Sequence, residues 1–134
     1  MTQKKHILVV DDEVDLQAVL SSLLESLGYE VCAASNGIEG AKLLDQFQKD
    51  GIEPYAILSD WMMPHCNGIE FLSNVRAGPL KATPFVLMTG AYTPEQLQNA
   101  EKLGPDATLN KPFSKAALQS KIEEAVRKRQ NKVG

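Results

Sequence analysis

At 134 residues the chain is the length of one ordinary domain, long enough to bury roughly two thirds of its unfolded surface without disulfides or metals. An apolar content of 43% with 23% charged residues excludes a disordered chain, and a net charge of -3 argues against a dedicated nucleic-acid binder. Two cysteines are too few for a disulfide scaffold. Cys32 is expected in a buried strand and Cys66 in a loop, both as reduced thiols. No apolar run reaches membrane-spanning length and no signal-peptide core precedes Asp11, so a cytoplasmic protein without a membrane partner is expected.

In chain order, five short β-rich runs alternate with longer amphipathic ones. Strands are expected near 6–10, 29–34, 55–59, 84–88 and 106–109. The first is apolar throughout, as in a central strand covered on both faces. Helical patterns fill the gaps. Over 13–27 the stripe is Val19, Leu20, Leu23, Leu24 and Leu27, with Gly28 as the stop. Over 37–49 it is Ile38, Ala41, Leu44 and Phe47, followed by Gly51. Residues 67–76 use Ile69, Leu72 and Val75. Residues 94–103 begin with Pro94 at a first helical position. The last helix, 114–129, uses Leu118, Ile122 and Val126, with Ser114 as its N-cap. The basic run from Arg127 to Lys132 reads as a solvated helix end. Strand–helix repetition of this kind implies right-handed crossovers and a doubly wound α/β sheet over a single domain, residues 1–134, with a core of about 5–128.

The chemistry-bearing residues stand at the carboxyl ends of these strands. Asp11-Asp12 follow Ile7–Val10, Asp60 follows Tyr55–Ser59, Thr89 follows Phe85–Met88, and Lys111-Pro112 follow Ala107–Asn110. In an open parallel sheet these ends share one rim, where ligands bind. Three carboxylates, a hydroxyl and an ammonium would meet there, the makings of a magnesium-dependent phosphoryl-accepting site. Alone, Asp11-Asp12 reads as a helix N-terminus with Asp12 as a capping acid, Asp60 as a turn residue, and Lys111 as a solvated charge. Their joint order favours the site.

These residues resemble the receiver domain of two-component response regulators, the CheY-like superfamily, from about Lys5 to Lys128. The matching features are Asp11-Asp12, an Asp-x-x-Met-Pro-x-x-x-Gly run from Asp60 to Gly68, Thr89, and Lys111-Pro112. The resemblance implies a flavodoxin-like (βα)5 three-layer sandwich with parallel strand order 2-1-3-4-5. It implies that Asp60 takes a phosphoryl group from a phosphohistidine on a sensor histidine kinase or a histidine phosphotransfer protein. Mg²⁺ is implied as cofactor, held by Asp12 and Asp60 directly, by Asp11 through water, and by the main-chain carbonyl of Met62. Electrostatics asks for such a cation, because each pair of unit negative charges at ~4 Å repels by roughly 4 kcal/mol at an effective dielectric near 20. Lys111 would pair with a phosphoryl oxygen, Thr89 would donate its hydroxyl to another, and Pro112 would permit a cis Lys111–Pro112 bond.

One position departs from the family pattern. Many receivers carry Tyr or Phe three residues before the lysine, and here Thr108 stands there. Thr89-Gly90-Ala91-Tyr92 looks like the Thr-Gly-x-Tyr run of a subset of single-domain receivers without that aromatic. Tyr92, Thr89 and Thr108 are therefore the switch candidates. By resemblance the face over 94–127, including Leu97, Lys102, Thr108 and Lys115, binds an undetermined downstream protein. The expected role is a signalling phosphoacceptor that catalyses only its own phosphorylation and dephosphorylation, standing alone or within a larger regulator.

Competing readings are a phosphorylation-independent pseudo-receiver and an aspartyl-phosphate phosphatase. Pseudo-receivers typically lose acidic or lysine positions, and all are present here. The dehalogenase-type phosphatases place a second Asp two residues after the nucleophile, where this chain has Met62. No Gly-x-Gly-x-x-Gly or Walker-type run appears, and His65 with Cys66 lacks the further ligands of a zinc site.

Overall fold

The computed structural model describes residues 4–61, 68–90, 93–95, 98, 102 and 104–133, with Ile69 and residues 131–133 described in backbone only. The strands are β1 (His6–Val10), β2 (Glu30–Ala34), β3 (Ala56–Asp60), β4 (Phe85–Thr89) and β5 (Ala107–Asn110). The helices are α1 (Val14–Ser26), α2 (Gly37–Lys49), α3 (Gly68–Ala77) and α4 (Lys115–Val133). Of the helical stretch expected over 94–103, the described residues Pro94, Glu95, Gln98 and Lys102 are helical. Among the described residues no helix is long and apolar enough to cross a membrane.

All four strand pairings are parallel and the order is β2-β1-β3-β4-β5, as the resemblance implied. Strand alternation sorts the core into two layers. Ile7, Val9, Leu58, Val86, Met88 and Leu109 face Leu20 and Leu24 of α1 and Leu118 and Ile122 of α4. Leu8, Val10, Ile57, Phe85 and Leu87 face Leu44 and Phe47 of α2 and Phe71, Leu72 and Val75 of α3.

Caps and turns set the helix limits. Asn36 Oδ1 caps α2 by accepting from the Glu39 N–H at 2.9 Å, while Glu39 Oε1 reaches back past the cap to accept from the Ser35 N–H at 2.8 Å. Ser114 Oγ accepts from the Ala117 N–H at 3.1 Å and so opens α4 as expected. Gly28, at φ +94°, ends α1 in the left-handed region.

Three expectations need correction. Val19 and Ile38 were assigned to apolar stripes but are 54% and 52% exposed. On α1 the buried face runs through Leu20 and Leu24, four residues apart, which turns Val19 about 100° away. On α2 the buried face runs through Gly40 instead, because the Phe71 ring occupies that space; a Cβ on Gly40 would sit 2.9 Å from Phe71 Cζ. Cys32 is half-buried rather than buried, because β2 is an edge strand. Strands β3, β4 and β5 also begin and end one residue later than expected. Asp60 pairs with Met88 and Thr89 with Asn110, so the rim residues belong to the ladder itself.

Candidate phosphoryl-acceptor site at the carboxyl rim

The strand order places β1 and β3 side by side and β4 and β5 beyond them, so the residues at their carboxyl ends share one rim. Asp11 leaves the end of β1, where its N–H donates to the Ala34 carbonyl at 3.0 Å. Its side chain is fully buried, and Oδ1 accepts from the Glu13 N–H at 2.9 Å. Asp12 beside it is exposed. Asp60 is the last residue of β3 and 7% exposed. One carboxylate oxygen from each of Asp11, Asp12 and Asp60 lies within 4.8 Å of the others. Three hard oxygen donors at this separation fit a small divalent cation that keeps part of its water shell.

Lys111 enters from the end of β5. Its N–H donates to the Thr89 carbonyl at 2.9 Å, and the Lys111–Pro112 bond is cis. Its Nζ lies 3.2 Å from Asp60 Oδ1 and 3.4 Å from Asp11 Oδ2. Thr89, the last residue of β4, is 1% exposed on the same rim. Gly68 brings the chain back onto the site. Its N–H donates to the Trp61 carbonyl at 2.8 Å, and a Cβ there would stand 2.3 Å from the Asp60 carbonyl oxygen. A glycine is therefore demanded by close backbone approach rather than by torsion.

Burial pushes the Asp60 carboxyl above its ordinary pKa, and the Asp11 charge adds to it. Lys111 and the Trp61 N–H offset only part of this. For Lys111, burial alone would lower the pKa, but the facing Asp60 and Asp11 outweigh it and the net direction is up. The site therefore holds a desolvated carboxylate beside a fixed cation, an arrangement in which an anionic group could be received.

The structure thus brings Asp11, Asp12, Asp60 and Lys111 together, with Thr89 on the same rim. Met62, Tyr92 and Leu97 lie outside the described residues, as do His65 and Cys66. Thr108, in β5, is half-buried, and Lys102 and Lys115 are exposed.

Two polar groups carry more than sequence patterning indicated. Gln17, on α1, donates its carboxamide N–H to main-chain carbonyls behind the acidic pair. Asp106, fully buried ahead of β5, accepts from Arg76 Nη2 at 2.8 Å, Arg129 Nε at 2.7 Å and the Phe85 N–H at 2.9 Å. The signal for Asp106 was a charged residue between Gly104-Pro105 and an apolar strand.

A family model for the response regulator receiver domain matches residues 7–123. A probable chemotaxis protein CheY of Rhizobium etli is 32% identical over 126 residues, covering 92% of this chain and 93% of its own. The transcriptional regulatory protein CpxR homolog of Haemophilus influenzae is 34% identical over 122 residues, which are 91% of this chain and 50% of that protein. The solved structure of Vibrio cholerae chemotaxis protein CheY4 superposes with a TM-score of 0.77 at 31% identity, covering 92% of this chain and 99% of that one.

Proposed function

The chain belongs to the response regulator receiver domain family, and from that membership we propose that Asp60 accepts a phosphoryl group from a phosphohistidine. The observation that carries this reading is the meeting of three carboxylates and Lys111 on one rim, with Lys111 Nζ 3.2 Å from Asp60. Similarity to two-component regulators makes a histidine kinase or histidine phosphotransfer protein the donor class.

In the proposed step an Asp60 carboxylate oxygen attacks phosphorus as the bond from phosphorus to the donor imidazole nitrogen breaks. The leaving electron pair stays on that nitrogen, which takes up a proton from water. Asp11, Asp12 and Asp60 would hold Mg²⁺, which when bound neutralises charge between the carboxylates and the incoming phosphoryl oxygens. Lys111 supplies a second, permanent cation, aimed at where those oxygens arrive. Thr89 offers a hydroxyl on the β4 end. Burial of Asp60 limits the bulk water that would compete with it for the phosphoryl group and strengthens each of these charge interactions.

The module is read as a switch rather than a turnover enzyme, catalysing only its own modification and its reversal. The phosphoryl group would alter partner binding over the 94–127 face. Intact-mass spectrometry after incubation with Mg²⁺ and a small acyl phosphate tests the reading. One added phosphoryl group is expected, absent in Asp60→Asn and absent without Mg²⁺. No adduct from either an acyl phosphate or a phosphohistidine donor under fast quench would overturn it in favour of a phosphorylation-independent binding module.

A further inference from the structure

We infer that Gln17 is a positioning residue for the acidic pair, fixing the turn from which Asp11 and Asp12 reach the metal position. The inference rests on the proposed Mg²⁺ site and concerns what holds its donors in place. Asp11 is secured at four points: its N–H donates to the Ala34 carbonyl, its Oδ1 accepts from the Glu13 N–H, its Oδ2 lies 3.4 Å from Lys111 Nζ, and its carbonyl accepts from Gln17 Nε2. That carbonyl belongs to the peptide joining Asp11 to Asp12. Its direction sets where the Asp12 side chain starts.

Gln17 does not act on Asp11 alone. The same nitrogen lies 3.0 Å from the Ala34 carbonyl and 3.4 Å from Ser35 Oγ. The Ala34 carbonyl thus receives both the Asp11 N–H and the Gln17 carboxamide. One half-buried amide ties the loop after β1 to the corner between β2 and α2. That corner has hydrogen bonds of its own, Ser35 to Glu39 and Glu39 to Asn36. A carboxamide suits this task because it presents two N–H donors and no charge near the carboxylates.

Without the donor, the Asp11 carbonyl would be free to turn with its peptide, and both carboxylates would lose their relative placement. Loss of a partner one bond removed from metal ligands typically weakens metal binding about 10–100-fold. Gln17→Met keeps the length and apolar body of the side chain but removes both donors. Gln17→Glu sets an anion against two carbonyl oxygens.

Mg²⁺ titration decides the matter, read from fluorescence of Trp61, the sole tryptophan and the neighbour of Asp60, and in parallel by calorimetry. Gln17→Met should bind Mg²⁺ roughly ten-fold more weakly than wild type, and Gln17→Glu more weakly still. Leu24→Val, a core change on the same helix that does not touch the loop, should lower Tm yet keep wild-type Mg²⁺ affinity. Wild-type affinity in Gln17→Met overturns the inference alone. An equal loss of affinity in Leu24→Val overturns it too, as a general stability effect. Failure of the wild type to bind Mg²⁺ by either readout overturns the metal site and the inference with it.

Discussion

Lys111 Nζ stands 3.2 Å from Asp60 Oδ1, although Asp60 ends β3, Lys111 follows β5, and β4 lies between those strands in the sheet. The lysine crosses that distance with its backbone tied to the Thr89 carbonyl. Its ammonium is therefore already held over the proposed acceptor. Lys111→Met is expected to lower the rate of Asp60 phosphorylation by about 10²–10³, the usual loss on removing one preorganised donor. Mg²⁺ binding should not weaken, because a competing cation is gone. Paired rate and titration measurements separate the two effects, and parallel loss of both would show that the lysine mainly holds the site together.

The desolvation of Asp60 has a stability counterpart. Burial raises its folded pKa above the ordinary value of 3.8, so the proton is held more tightly in the folded state. Its contribution to stability is then present below the unfolded pKa and lost as pH rises through the folded one. At neutral pH without metal the ionised carboxylate is a net cost. Asp60→Asn, measured in chelator, should therefore be more stable than wild type at pH 7 by about 0.5–2 kcal/mol. The gap should close as pH falls through the raised folded value and be gone below about 4. Thermal unfolding across pH 3–7 checks the sign; a variant less stable at pH 7 would mean that the Lys111 pair outweighs desolvation.

Gly68 tests how closely the start of α3 must approach Asp60. A Cβ there would meet the Asp60 carbonyl oxygen at 2.3 Å and Trp61 Cα at 3.0 Å, both backbone atoms that no rotamer can move. Gly68→Ala should cost about 1–3 kcal/mol and slow Asp60 phosphorylation, since the strain falls on the acceptor's own peptide. Gly28→Ala is the contrast. Nothing lies within 4 Å of its Cβ and only the φ of +94° opposes it, so a milder loss with unchanged phosphorylation is expected. Tm and acyl-phosphate reactivity of the two variants give the comparison.

The residues that sequence reading located were those whose signal is local. Asp11, Asp60, Thr89 and Lys111 each close an apolar run, and parallel topology alone carries such positions to one rim. Strand order came with the resemblance rather than from any pairing signal in the runs themselves. What periodicity misjudged was which side of a helix faces the sheet. Ile38 reads as core in a 3.6-residue pattern, yet Gly40 is buried because Phe71, thirty-one residues later, fills the space beside it. Gln17 was missed for a similar reason. A glutamine on an amphipathic helix reads as solvated, and its main-chain partners become visible only when β2 lies beside β1.

Asp106 shows how far such invisible pairings reach into stability. Its carboxylate is fully buried and binds guanidinium groups from the last turn of α3 and from α4, while holding the first N–H of β4. Arg76 in turn donates to the Thr83 and Lys81 carbonyls at 2.8 and 3.0 Å, so one anion organises the turn between α3 and β4. Removing it leaves two half-buried cations facing each other and an orphaned main-chain donor. Breaking a buried ion pair from one side typically costs 3–5 kcal/mol. Asp106→Ala should fall in that range by denaturant unfolding, and Asp106→Asn should cost less because it keeps an acceptor. The network sits at the amino end of the strands, opposite the acceptor rim. Where the variant remains folded, Mg²⁺ affinity and Asp60 phosphorylation should therefore match wild type, and a loss of either at full folding would show that the two ends of β4 and β5 are coupled.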